Sequence, residues 1–168
     1  DNGGTAVRST GIDYAYRLFV GSVSSGSFEQ TGGNLYMDRG ISVGSEAGSS
    51  GVFSLSGGTI DTDKRFSVGD YGDGAVTHTG GPLKLNTDDG WLSVTSGSGA
   101  FAATGTYSLS GSGAIYAEAM GIGGDGRGSF TQSGGTVSLR GVLAICADVF
   151  DTGSGEYSLS GGSLSAAV

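Results

Sequence analysis

The chain is poor in cysteine, proline, histidine and basic residues. Its 168 residues include one Cys, one Pro and one His, with 8 Lys and Arg against 16 Asp and Glu. A single cysteine excludes an internal disulfide, and one histidine without further ligands at zinc spacing does not support a mononuclear zinc site. A net charge of −8 without a basic run argues against a surface for nucleic acid or anionic membrane. No apolar run is long enough to span a bilayer.

Glycine, in contrast, accounts for 36 residues, and 36% of the chain is apolar. The glycines lack a period of three, which excludes collagen. The regularly placed Phe, Tyr, Val, Ile and Leu exclude a flexible or disordered linker. The composition therefore predicts a folded chain in which glycine has a structural purpose.

One phrase recurs along the whole chain and carries two apolar segments around a glycine pair. Its copies are SFEQTGGNL at 27–35, VFSLSGGTI at 52–60, AVTHTGGPL at 75–83, TYSLSGSGA at 106–114, SFTQSGGTV at 129–137 and EYSLSGGSL at 156–164. A third segment follows or precedes each copy, with the apolar pairs Leu18/Val20, Ile41/Val43, Phe66/Val68, Leu92/Val94, Met120/Ile122 and Leu143/Ile145. The repeat length lies between roughly 23 and 31 residues, as in solenoid arrays.

The apolar residues of each segment are spaced i, i+2, which is typical of strands with one buried face. Helical spacing is absent. Three strand types recurring in one order predict an all-β fold, a single-stranded parallel β-helix (β-solenoid) with three short strands per coil and about six coils. Right-handed coiling is expected by analogy with parallel crossovers. An antiparallel sandwich is the rival, but its hairpins do not require the same three strand types to recur.

The F/Y-x-L/Q-S-G-G-x-L phrase followed by L-x-V-G, as in YSLSGGSL and FSVG, resembles the Gly/Ser-rich β-helical repeats of bacterial surface proteins. That group includes autotransporter passenger regions and related repeats of large secreted proteins. The resemblance covers nearly the whole chain. It implies a β-solenoid and an extracellular or cell-surface location, and it names no ligand.

The glycine pairs are expected at corners where the backbone bends with positive φ, with the preceding Ser or Thr bonding nearby backbone. Cys146 takes the place of the corner glycines Gly44, Gly69 and Gly123, which predicts a small passive residue at a tight corner. A reactive or intermolecular thiol is the alternative.

Three polar residues, Gln30, His78 and Gln132, interrupt the ladder formed by Leu55, Leu109 and Leu159. If they point inward, each needs a hydrogen-bond partner, because an unpaired buried amide costs roughly 1–3 kcal/mol. We expect His78 to be a satisfied structural side chain.

Two groups of turn residues are candidates for binding. Asp70, Asp73, Asp125 and Asp148 lie in turns between coils and could supply oxygen ligands to Ca²⁺ as a cofactor, although solvated acidic turns are the plainer explanation and no cofactor is required. Trp91 beside Asp88 and Asp89, together with Tyr71, offers aromatic rings and carboxylates of the kind that hold sugars. The plainer explanation is that such loops cover apolar surface.

Catalysis is not expected, although parallel β-helices also carry polysaccharide lyases and glycosidases. The basic residues are spread thinly, and Lys64 and Arg65 beside Asp61 and Asp63 suggest a self-neutralised turn. No nucleophile–base motif or phosphate-binding loop is visible.

The chain is predicted to be a single domain over 1–168, with incomplete coils at both ends and a long loop at 8–17. It enters at NGGTAV, past the first strand of a coil, and leaves in a second strand, with no polar terminal coil. The 8–17 loop as a cap, excision from a longer solenoid, and head-to-tail stacking into a fibre are the alternatives.

These features predict a non-enzymatic extracellular structural protein, a building block of a surface fibre, sheath or adhesin stalk. Its partner would be another copy or an adjacent solenoid of a longer chain. The alternative is a carbohydrate-binding or adhesive module that uses the loop aromatics and acidic turns. Ice binding is a more distant alternative, because the outward threonines form no regular T-x-T array.

Overall fold

The computed structural model describes residues 4–86, 89–95, 103–146 and 153–167. Within these ranges it contains eighteen strands, β1 to β18, and no helix. All the strand pairs are parallel, and they join strands of successive coils. The predicted all-β solenoid with three strands per coil and about six coils is confirmed.

The first four coils each contain three separate strands. Coil 1 has β1 (Gly4–Arg8), β2 (Ile12–Ala15) and β3 (Leu18–Val20); coil 2 has β4 (Ser25–Gln30), β5 (Asn34–Met37) and β6 (Ile41–Val43). Coil 3 has β7 (Ser50–Leu55), β8 (Thr59–Thr62) and β9 (Phe66–Val68); coil 4 has β10 (Asp73–His78), β11 (Pro82–Leu85) and β12 (Trp91–Val94).

The later coils keep the same three positions with one change. Coil 5 has β13 (Thr104–Leu109), β14 (Ala114–Ala117) and β15 (Ala119–Ile122). In coil 6 the first two strands merge into β16 (Arg127–Leu139), which is followed by β17 (Leu143–Ile145). The seventh coil contains only β18 (Ser154–Ala166), which pairs with β16 through both positions.

Because like strands pair in register, like residues stack along the axis. The phenylalanine or tyrosine of each first strand forms an aromatic ladder, in which Tyr107 and Phe130 stack at 4.9 Å between ring centroids, as do Phe130 and Tyr157. Val76 interrupts this ladder, and the ring of Phe66 lies against the aromatic rings on either side, Phe53 and Tyr107. The ladders together form one hydrophobic core inside the solenoid.

Coil 1 differs from the sequence-based expectation. The stretch 8–17 is not a long loop, because it contains the end of β1 and the whole of β2, and β1 pairs with the first strand of coil 2. The chain therefore enters in a first strand, and the prediction that it enters past one is wrong.

Coil 1 has charged residues at two ladder positions where the other coils have apolar or neutral polar side chains. Arg8 stacks on Gln30 and Asp13 on Leu35, and the two side chains form an ion pair. Arg8 also donates from Nη2 to the carbonyl oxygens of Gly11 and Asn34, at 3.0 and 2.7 Å. Coil 1 thus combines this ion pair with the apolar ladder of its third strand, Leu18 and Val20.

The corners have the backbone conformation that the glycines predict. Gly58 and Gly81, the second glycines of their pairs, have φ of 80° and 79°. At the corner that follows each third strand, Gly44 and Gly69 also have positive φ, and Cys146 occupies the same position with φ of 44°. The tight corner predicted for Cys146 is confirmed.

Replacing Cys146 with glycine is expected to raise the free energy of unfolding by about 1 kcal/mol, since a side chain in the left-handed region costs roughly 1–2 kcal/mol. The side chain is exposed, so little packing is lost. Thermal denaturation with a reductant present measures the change. A lower melting temperature for Cys146→Gly would mean instead that the contact of Sγ with the Gly123 carbonyl, at 2.9 Å, stabilises the corner.

Candidate functional site

The polar residues that interrupt the leucine ladder lie wholly inside the solenoid. Gln30, His78 and Gln132 are fully buried, and each bonds to the carbonyl oxygen of a corner glycine three residues ahead. They therefore hold the corners of their own coils, and none of them opens onto a cleft. The prediction that they require internal partners is confirmed for the described contacts.

His78 is held from both ring nitrogens. Nε2 lies 2.7 Å from the carbonyl oxygen of Gly81, which only accepts, so Nε2 carries the proton. Nδ1 then accepts from the hydroxyl of Tyr107 in the next coil, at 2.9 Å. Burial lowers the pKa of His78, because the charged imidazolium is poorly solvated in the core. The histidine is therefore a neutral structural side chain.

The two glutamines differ in whether the next coil supplies a hydroxyl. Gln132 accepts a hydrogen bond at Oε1 from Tyr157, and burial raises the pKa of that tyrosine to about 12. Gln30 faces Phe53 in the corresponding place, and its Oε1 is buried with no partner among the described residues. A tyrosine of the following coil thus bonds to His78 and to Gln132, whereas Gln30 has no such tyrosine.

Phe53→Tyr is expected to raise the free energy of unfolding by about 1 kcal/mol, because its hydroxyl would donate to the orphaned Oε1 of Gln30. Phe130→Tyr is the matched control. It faces Leu109 in the preceding coil, so its hydroxyl would be buried unpaired and should destabilise by roughly 1–3 kcal/mol. Urea unfolding of both variants measures whether each substitution raises or lowers the free energy of unfolding. Destabilisation by Phe53→Tyr equal to that of Phe130→Tyr would contradict the proposed pairing.

The acidic turns are bonded within the solenoid rather than gathered around a common point. Asp70 accepts from Ser42 Oγ at 2.6 Å, and Asp73 accepts from the backbone N and Oγ1 of Thr104 at 3.1 and 2.5 Å. Asp125 lies at the corresponding corner two coils further on, and Asp148 is outside the described residues. Within the described part of the chain, no three His, Cys, Asp or Glu side chains are placed to hold a metal ion. Calcium binding stays a prediction.

The predicted sugar-binding residues lie at two different corners. Tyr71 lies at the corner that follows a third strand, between β9 and β10. Trp91 lies at the corner that precedes a third strand, where it begins β12. Asp89, close to Trp91, forms an ion pair with Lys64 at 2.7 Å, which lowers the pKa of the carboxyl. Asp88 lies outside the described residues.

Trp91 and Asp89 instead line an open groove with residues that the sequence reasoning did not select. The groove has a volume of about 670 Å³, and its other lining residues are Tyr16, Arg17, Arg39, Lys64 and Arg65. These basic residues are far apart in the sequence because they come from three different coils. Each lies one or two residues before a third strand, and alignment of the repeats on that strand is the signal that would have found them.

The structure has no helix among its described residues that is long and apolar enough to cross a membrane. No protein-family model, curated protein or solved structure matches the chain. The interior geometry and the groove are therefore the basis for function.

Proposed function

We propose that this chain is a non-enzymatic structural protein, a β-solenoid building block of an extracellular fibre, sheath or adhesin stalk. The main support is the continuity of the interior. Parallel pairing runs through every coil, and the buried polar residues of the ladder hold corners instead of facing a cleft. A chain organised in this way is suited to hold its two ends apart at a set distance.

The extracellular location rests on the resemblance of the repeats to those of bacterial surface proteins and on the acidic surface. A net charge of −8 keeps a β-rich rod from associating sideways. The ion pair of Lys64 with Asp89 and the bonds of Asp70 and Asp73 join neighbouring coils along the outside. These contacts reinforce a rod without forming a catalytic group.

The two ends of the solenoid differ, and this bears on its partner. At the coil 7 end, Leu159 is 50% exposed, and Tyr157 and Leu164 are only partly buried. A further coil laid on β18 would bury them and would use the unpaired strand edge. At the other end, the Arg8–Asp13 pair makes coil 1 a poor cover, because stacking would desolvate both charges against leucine.

Another solenoid coil, from a longer chain or from another protein, is therefore the expected partner of coil 7. Copies of this chain stacked head to tail are the weaker alternative. Negative-stain microscopy and sedimentation of the purified chain over a wide concentration range distinguish the two. Particles of constant short length support the first, whereas particles that lengthen with concentration show head-to-tail growth.

The variant Leu159→Lys tests whether any growth occurs through coil 7. If growth occurs through coil 7, the added charge should abolish it, while Ser158→Lys on the outward face should leave it unchanged. Release of unsaturated or reducing sugars from common polysaccharides by the purified chain would contradict the non-enzymatic proposal.

A further inference from the structure

The groove at the corner before the third strands concentrates the positive charge of an acidic chain. Arg17, Arg39, Lys64 and Arg65 are four of its eight basic residues, and all line this one surface. Tyr16 and Trp91 line it as well, and Trp91 is 39% exposed. A structural rod requires neither the clustered basic residues nor the exposed aromatic rings of this groove.

The solenoid places these residues in two stacked rows. Leu18, Ile41, Phe66 and Leu92 are register partners, so the residues just before them, Arg17, Gly40, Arg65 and Trp91, follow one another along the axis. Tyr16, Arg39 and Lys64 form the second row, and Arg39 N donates to the carbonyl oxygen of Tyr16 at 2.9 Å. Since parallel strands lie about 4.8 Å apart, the groove runs along the rod over four coils.

Two of the three arginines in the groove lie over aromatic rings. The guanidinium of Arg17 lies over Phe19 at 4.5 Å from the ring centroid, and that of Arg39 lies over Tyr16 at 5.5 Å. Among the basic residues of the groove, Lys64 is paired with Asp89 at 2.7 Å. The groove therefore presents three guanidinium groups along one open surface, which suits an anion.

We propose that this groove binds a carboxylate-bearing saccharide chain, such as a polyuronate. Arginine binds carboxylates through two parallel hydrogen bonds, and a row of arginines along the axis suits carboxylates repeated along a polymer. The exposed ring of Trp91 offers a flat apolar face against which a sugar ring can lie. The whole chain has a net charge of −8 even with the groove included, which disfavours nucleic acid, whose phosphates are much denser.

Titration calorimetry with a short oligogalacturonate tests the proposal. The fully methyl-esterified oligomer has the same sugar without the charge, and a sulfated galactan oligomer has charge without carboxylates. We expect binding to the oligogalacturonate, at least about tenfold weaker binding of its methyl ester, and weaker binding as salt is added. Arg39→Gln combined with Arg65→Gln, and separately Trp91→Ala, should each weaken binding about tenfold or more.

Arg140→Gln is the matched control. Arg140 lies at the same corner, outside the groove, and is paired with Glu118. Equal weakening by Arg140→Gln would overturn the proposal, as would equal affinity for the methyl ester. Preference for the sulfated oligomer, for DNA or for an acidic peptide would also overturn it, because the groove would then recognise charge without the sugar carboxylate. None of these outcomes affects the structural role proposed for the rod.

Discussion

Gly58→Ala is expected to lower the free energy of unfolding by roughly 2–5 kcal/mol, combining the cost of a left-handed side chain with that of overpacking. Gly58 has φ of 80°, and a Cβ there would run into the backbone of Gly32 and the carbonyl oxygen of Gly33 in the preceding coil. Neither side can move freely, because both strands are held in one sheet. The effect should therefore exceed that of either cause alone.

Three other glycines separate the two causes. Gly48 has φ of 79° with open space around it, so Gly48→Ala should cost only about 1–2 kcal/mol. Gly57 has ordinary φ, but a Cβ would meet the carbonyl oxygen of Thr31, so Gly57→Ala should show the steric cost alone, about 1–3 kcal/mol. Gly121 has neither constraint, and Gly121→Ala should change stability by less than about 0.5 kcal/mol.

Urea unfolding followed by circular dichroism measures all four variants on one scale. The expected order of destabilisation places Gly58→Ala first, Gly121→Ala last and the other two between them. Equal effects at all four positions would show that the repeated glycines are not required by the corners. A small effect of Gly58→Ala alone would show that the coils are not stacked in the register described.

Acidification from pH 7 to pH 5 is expected to destabilise the protein through His78. An unfolded histidine takes up a proton near pH 6.5, whereas burial lowers the pKa of His78 in the folded chain. Below pH 6.5 the unfolded state therefore binds more protons, and the free energy of unfolding falls as the pH falls. The loss approaches about 1.4 kcal/mol per pH unit until the folded histidine also titrates, and it is absent above pH 7.

His78→Gln is the matched control, because this chain already uses glutamine at the same ladder position. In Gln132, Nε2 donates to the carbonyl oxygen of Gly135 and Oε1 accepts from Tyr157, which are the roles of the two ring nitrogens of His78. The variant should fold and lose most of the pH dependence between 7 and 5. Chemical denaturation at several pH values decides the matter, and an unchanged pH dependence in His78→Gln would exclude His78 as its source.

The regular part of the fold could be predicted from the sequence because stacking forces like residues into ladders. The pairs Ile41/Val43 and Phe66/Val68 face one core, so their spacing and recurrence suffice to assign their strands. Cys146 could be placed at a corner for the same reason. In a solenoid, residues at the same position of successive repeats contact each other. Aligning the repeats of one sequence therefore identifies these tertiary contacts.

Coil 1 and the groove could not be predicted in this way, because both depend on residues that break the pattern. Arg8 and Asp13 occupy ladder positions. Charged residues in a sequence are ordinarily assigned to the surface or to loops, and only the structure shows that these two form an ion pair. Arg39 and Arg65 lie in corners of three residues, whereas the corner of Arg17 has two, so counting from the preceding strand sets Arg17 level with Arg39 and out of line with Arg65. Only the register of the third strands places them in one groove.

Immunogold electron microscopy of the cells that make the protein is the most direct test of the proposal that the chain serves as a structural rod outside the cell. An antibody against the purified chain, applied to intact and to permeabilised cells, locates the protein. Label is expected on intact cells, along extended material at or beyond the surface. Label confined to the interior, seen only after permeabilisation, would contradict it.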